Sequence, residues 1–219
     1  MLSLSGSASE ILVCVDFNSI ESWLALAPTL KLVQKYGAMI DWVPLTAGMK
    51  RLSNENHLPD KDKGFEDYKR RRYAARQAYT QLNQQRYAAL LNLSEEDLSR
   101  QHDTRLAAIG LLWLKHQCRE KSVSYIQSVF EVHFRLHGDI EDESVIDQLL
   151  GQAGAETGGF GSFVEGEGKR ELESVQDWLA DAGLFSAPAY LYLGERYHGR
   201  EHLPLIAWYL GHKEGEPPV

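Results

Sequence analysis

Cysteine is scarce in this chain of 219 residues: Cys14 and Cys118 are the only two, and neither belongs to a Cys-x-x-Cys pair. A disulfide framework and a redox dithiol are therefore both excluded, and a reducing compartment fits. Basic residues are outnumbered, 23 Lys and Arg against 31 Asp and Glu, for a net charge of −8. Nucleic acid is not an expected partner, because a phosphate backbone is bound mainly by clustered cations. Long apolar runs are lacking too. The longest, Leu106 to Leu114, is too short to cross a bilayer, and the opening MLSLSGSASE has neither the basic nor the apolar region of a signal peptide. The expectation is a cytoplasmic protein with no membrane partner. Internal repeats and low-complexity tracts are also absent.

What is present is 43% hydrophobic sequence, enough for a substantial core. Glu10 to Phe17 (EILVCVDF) is β-branched and apolar without helical spacing, which predicts a buried strand. From Ile20 to Tyr36 the period changes, with Trp23, Leu24, Ala27 and Leu30 at helical intervals and Gly37 as a stop. Met39 to Leu45 returns to strand chemistry, parallel to the first strand because a whole helix intervenes. From Lys61 to about Gly183 the helical signals dominate: Phe65 to Leu91, Thr104 to Cys118, Val123 to Leu136, Val145 to Ala153 and Phe163 to Ala182. The glycines of 151 to 168 mark a loop or a weakened helix start. Ala187 to Leu193, a Gly194-Glu195 turn and Arg196 to His198 read as a hairpin, and Leu203 to Leu210 as a closing helix with Pro204 in its first turn. The order β-α-β, helices, β-β-α predicts one four-stranded mixed sheet with an all-helical insertion.

That order, together with Asp16-Phe17-Asn18-Ser19, Ser22-Trp23-Leu24-Ala25, Gly48-Met49-Lys50, Lys63-Gly64, Ala187-Pro188 and Gly199-Arg200-Glu201-His202-Leu203, resembles the thioredoxin fold. The similarity is to the DsbA-like branch that holds kappa-class glutathione transferases and 2-hydroxychromene-2-carboxylate isomerases. It implies an α/β fold with a thioredoxin-like domain over 1–50 and 184–219 and a helical insertion over 51–183. The family pattern Ser-Pro-aromatic-Ser, at the position of the Cys-x-x-Cys of the disulfide enzymes, stands here as Ser19-Ile20-Glu21-Ser22. Both serines match; the proline and the aromatic do not.

The resemblance implies glutathione as cosubstrate or cofactor, with Ser19 as catalytic residue. A helix N-terminus carries unpaired N–H groups and about half a positive charge, which stabilises an anion by ~0.3–1 kcal/mol or more. Serine without an adjacent base is a poor nucleophile, but its hydroxyl can donate to a thiolate sulfur, and each pKa unit of such tuning needs ~1.4 kcal/mol. The residues alone equally allow Ser19 to be a helix N-cap, or Asn18 and Glu21 to form an alternative cap box. The resemblance further implies a cis bond before Pro188 and backbone pairing of Ala187 with glutathione. Ser22 is implied to bind glutathione as well, with Asn54 and Lys63 holding one side and Arg200 and Glu201 the γ-glutamyl end, where the transferases have Ser-Asp. Trp23 and Tyr190 are expected walls for an apolar or aromatic electrophile. The expected activity is a glutathione-dependent transferase or isomerase, and relatives of this kind imply a homodimer. The alternatives are a thiol-disulfide oxidoreductase that has lost its cysteines and a non-catalytic binding protein.

Other features read as structural. The run from Tyr68 to Tyr73, with four consecutive basic residues between two tyrosines, spreads around a solvated helix. His133 and His137 have metal-binding spacing but no glutamate base or third ligand, so no metal is expected. The turn after the first strand lacks Gly-x-Gly, which disfavours a dinucleotide site.

Overall fold

The computed structural model describes residues 10–46 and 63–218, with side chains from 67 onward in the second segment. Strand β1 (Glu10–Val15) is central: Ile11, Val13, Cys14 and Val15 are at most 1% exposed, as a strand covered on both faces requires. It pairs in parallel with β2 (Met39–Pro44) and antiparallel with β3 (Ala189–Tyr192), which pairs antiparallel with β4 (Glu195–His198). The sheet order is β2-β1-β3-β4. This is the thioredoxin topology that the element order predicts.

Helix α1 (Ile20–Tyr36) has the predicted boundaries because both ends are chemically marked. Ser19 caps its start by accepting from the Ser22 amide, and Gly37 ends it at φ 65°, a conformation glycine adopts without a Cβ penalty. Pro28 lies on the exposed side of α1 without ending it. The hairpin turns through Leu193 and Gly194, both at positive φ (52° and 79°), as a tight two-residue connection demands. A 3-10 turn (Arg200–His202) leads into α9 (Leu203–Leu210), which packs against α1.

Between β2 and β3 lie α2 (Lys63–Leu90), α3 (Glu95–Ser99), α4 (Arg105–Cys118), α5 (Ser122–Phe130), α6 (Glu143–Ala153), α7 (Phe160–Glu165) and α8 (Glu167–Asp181). Helices α4 and α8 cover β2. Lys115 of α4 reaches Asp41 at 2.6 Å and the Trp42 carbonyl at 2.7 Å. Gln176 of α8 accepts from the Thr46 amide and donates to the Pro44 carbonyl, both at 2.9 Å. Its amide thus stands in for a further strand at the end of an edge.

The helical block differs from the sequence expectation in several places, among them the short helix α3, which is not expected from the sequence. The helix expected over Val123 to Leu136 is α-helical only to Phe130 and widens into a π-turn at Glu131–Arg135. The single helix expected over Phe163 to Ala182 is two, broken at Gly166. Gly168 follows that break because a Cβ there would stand 2.6 Å from Ile109 and 2.8 Å from Phe163. The basic run on α2 is exposed, with Arg70 paired to Asp67 at 2.5 Å. His133 is buried and held to about 4, mainly by desolvation, while His137 leaves the helix at φ 52° and binds Asp97. The two histidines do not share a helical face.

Candidate functional site

The turn from β1 into α1 is built by backbone and short polar side chains. The Ser19 amide donates to the Asp16 carbonyl at 3.0 Å, the Asn18 amide to the Asp16 carboxylate at 2.9 Å, and the Asn18 side chain to the His102 carbonyl at 2.7 Å. Burial pushes the Asp16 carboxyl up to about 6, only partly opposed by the Asn18 amide.

Ser19 is half-buried, and its hydroxyl does two things. Its oxygen accepts from the Ser22 amide at 3.2 Å, and its proton goes to the Ala187 carbonyl at 3.1 Å. The Ala187–Pro188 bond is cis. The tip of α1 and the cis-proline segment, 168 residues apart in the chain, are therefore joined through this one hydroxyl. Ser19 is thus an N-cap whose hydroxyl also bonds the carbonyl before the cis-proline.

A cleft of about 700 Å³ opens along that segment, lined by Ser186, Ala187, Pro188, His198, Gly199, Arg200, Glu201, Glu21 and the α2 residues Tyr79, Thr80, Asn83 and Tyr87. Its described walls reach Ala187 and Pro188 and stop short of Ser19. Arg200 is oriented from two sides. Its Nε donates to Glu21 at 3.2 Å, and its guanidinium lies 3.8 Å from the centre of the Tyr87 ring. Glu21 occupies the first turn of α1, where its charge is favoured by the helix. Glu201 is exposed on the same wall.

The structure brings together Ala187, Pro188, Arg200 and Glu201, with Ser19 adjoining. It separates the rest. Ser22 is 2% exposed and its hydroxyl accepts from the Asp16 amide at 3.2 Å, so it braces the turn and is not presented to a ligand. Tyr190 is fully buried, because strand alternation aims it at α1, where its hydroxyl meets Thr29 at 3.0 Å. Burial also pushes its phenol up to about 12. Trp23 stacks on Phe130 and Phe134 with Arg135 over its face, and lines a different cavity of about 460 Å³. Neither Trp23 nor Tyr190 walls the cis-proline cleft. Asn54 lies outside the described residues, and Lys63 opens α2 with its side chain outside the description.

Sequence reasoning missed most of the cleft wall, including Glu21 and the α2 residues Tyr79 to Tyr87 as well as Ser186 and His198 beside the cis-proline. Ser186 Oγ lies 2.8 Å from His198 Nδ1, and His198 Nε2 lies 3.2 Å from the Gly183 carbonyl. The signal that could have found them is the hairpin register: counted back from the turn, His198 pairs with Ala189, three residues after Ser186. Away from the cleft, His102, Asp139 and Glu141 bring three donor atoms within 4.8 Å of one another. Asp139 and Glu141 are exposed. Among the described residues no helix is long and apolar enough to cross a membrane.

No protein-family model matches the sequence. No curated protein matches it significantly. Solved structures do match. A 2-hydroxychromene-2-carboxylate isomerase superposes with a TM-score of 0.68 at 18% identity, covering 93% of this chain and 95% of its own. A probable DsbA oxidoreductase from Streptomyces coelicolor gives 0.64 at 13%, over 96% and 92%. The cytosolic disulfide reductase DsbM from Pseudomonas aeruginosa, solved with GSH, gives 0.60 at 11%, over 94% and 97%. The fold is thus that of the DsbA-like thioredoxin proteins, four mixed strands with a large helical region, shared with the chromene-carboxylate isomerase.

Proposed function

We propose that this protein is a glutathione-dependent transferase or isomerase acting on an electrophilic, apolar or aromatic small molecule, with a homodimeric, cytoplasmic setting like that implied for its relatives. The observation that carries the reading is the bond from Ser19 at the tip of α1 to the carbonyl before the cis-proline, next to a cleft holding Arg200 and Glu201. The cleft offers a cation and an acid for a ligand with carboxylates and an ammonium, and its volume suits a tripeptide. The likeness to a GSH-bound disulfide reductase and to an isomerase adds support.

Glutathione, when bound, supplies a thiolate able to add to an electrophilic carbon. The chain's part is to favour that thiolate. Ser19 would turn its proton from the Ala187 carbonyl to the sulfur. That exchanges a neutral hydrogen bond of about 1 kcal/mol for a stronger charge-assisted one at the positive end of α1. The hydroxyl cannot form a disulfide, and Cys14 is buried with its thiol pushed up to about 12. Disulfide exchange is accordingly not the activity proposed.

A second reading, a binding protein without catalysis, is favoured by one contact: Glu21 already occupies the tip of α1 and engages Arg200. Calorimetric titration with glutathione, followed by S-alkylglutathione, tests the first reading. Binding of both is expected. Absence of heat at several-fold millimolar thiol would contradict it.

A further inference from the structure

We infer that Ser186 and His198 form a proton-handling pair on the cis-proline wall, in which Ser186 is a second hydroxyl, besides Ser19, that takes up the ligand thiol's proton and His198 is the base acting through it. This rests on the reading that a thiol binds in this cleft. Its evidence is separate, since neither residue belongs to the turn that holds Ser19.

The hydrogen bonds fix the proton positions. A carbonyl oxygen can only accept, so His198 Nε2, 3.2 Å from the Gly183 carbonyl, carries the ring proton in the neutral imidazole. Nδ1 then holds the lone pair, and the Ser186 hydroxyl, 2.8 Å away, donates to it. The ring is also held through its face by Phe185, at 4.3 Å between centroids and 24° from parallel. A serine donating to an imidazole whose other nitrogen is fixed by an acceptor is the arrangement that lets a hydroxyl pass a proton on. Ser186 and His198 are half-buried and both line the cleft.

The step balances without further reactants. The ligand S–H bond breaks as the Ser186 oxygen takes that proton, while the original Ser186 proton moves to His198 Nδ1. The products are a thiolate on the ligand and an imidazolium on the protein. The imidazolium keeps both N–H groups satisfied, by the Ser186 oxygen and the Gly183 carbonyl. Reversal of the path returns the proton to the adduct. The charged groups around the ring are Arg200, Glu201 and Glu21 on the cleft walls and Arg196, whose side chain packs at Gly183. Glu21 is engaged by Arg200, and His198 is the group hydrogen-bonded to the Ser186 hydroxyl.

The test counts protons. Glutathione is titrated into the full chain at about pH 7.5, above the ordinary imidazole and below the ordinary thiol. Calorimetry in two buffers of different ionisation enthalpy gives protons released, and ultraviolet absorbance gives thiolate formed. The wild type is expected to form thiolate with well under one proton released per thiolate. Ser186→Ala and His198→Gln are measured at saturating glutathione, so that the thiolate signal is read per bound thiol whatever the affinity. They should either lose the thiolate signal at least fivefold or release one proton for each thiolate, and added imidazole should restore the signal in a His198→Gly variant. One proton released per thiolate in the wild type, unchanged in the variants, would overturn the pair and leave the thiol site standing. Absence of thiolate or of binding in the wild type would overturn both.

Discussion

Replacing Asp16 by Asn should make the protein more stable at neutral pH. The carboxyl lies at the foot of the turn that presents Ser19, and desolvation raises it from 3.8 to about 6. At about 1.4 kcal/mol per pKa unit, holding it ionised at neutral pH costs on the order of 3 kcal/mol. Asparagine keeps the oxygen that accepts from the Asn18 amide and removes the charge. The sign follows from the direction of the shift. Below the unfolded value near 3.8 both states are protonated, and the acid and the amide are equivalent. As the pH rises the unfolded chain loses the proton first, so the wild type weakens relative to Asp16→Asn until about 6 and stays weaker above. Urea unfolding of both proteins from about pH 4 to 7.5 reads this difference directly, free of the carboxylates they share. Parallel curves, or a variant less stable at neutral pH, would refute the desolvation argument.

Ser22→Ala should cost about 1–2 kcal/mol in unfolding free energy, because it leaves the Asp16 amide without its 3.2 Å acceptor in a buried turn, while glutathione affinity changes little. A large loss of affinity with normal stability would return Ser22 to the ligand. Glu21→Gln removes a charge from the tip of α1 and releases Arg200, so glutathione should bind about fivefold tighter, on the scale of ~1 kcal/mol for one charge at a helix end. Weaker binding would show instead that Glu21 orients Arg200 for the ligand.

The parts of the fold legible in the sequence are those fixed locally. Helix α1 begins and ends where Ser19 and Gly37 mark it, α9 runs over its predicted residues, and the alternating and unbroken apolar runs give all four strands within a residue or two. Pro188 came with the resemblance, and its bond is cis. What stayed hidden depends on long-range packing. Tyr190 looked like a pocket wall because the hairpin sits near the site, but its direction is set by which face of β3 meets Thr29. The place of Trp23 in α1 points to the cleft, whereas Phe130 and Phe134, more than a hundred residues on, decide where it lies. The glycines of 151 to 168 mark a weakened helix, but the position of the break at Gly166 is not given by any periodicity. The Ser186–His198 pair needs the β3–β4 register before its members are neighbours.

The central proposition is that the Ser19 hydroxyl, aided by the end of α1, favours a ligand thiolate. The most direct measurement is the ionisation of bound glutathione, followed by thiolate absorbance against pH in the wild type and in Ser19→Ala, with Ser19→Thr as the hydroxyl-retaining control. The bound thiol should ionise at least about one pKa unit below the free thiol, and Ser19→Ala should return it upward by about one unit, equal to ~1.4 kcal/mol, while Ser19→Thr stays near the wild type. A bound thiol that ionises like the free one, or a shift that survives in Ser19→Ala, would contradict the account.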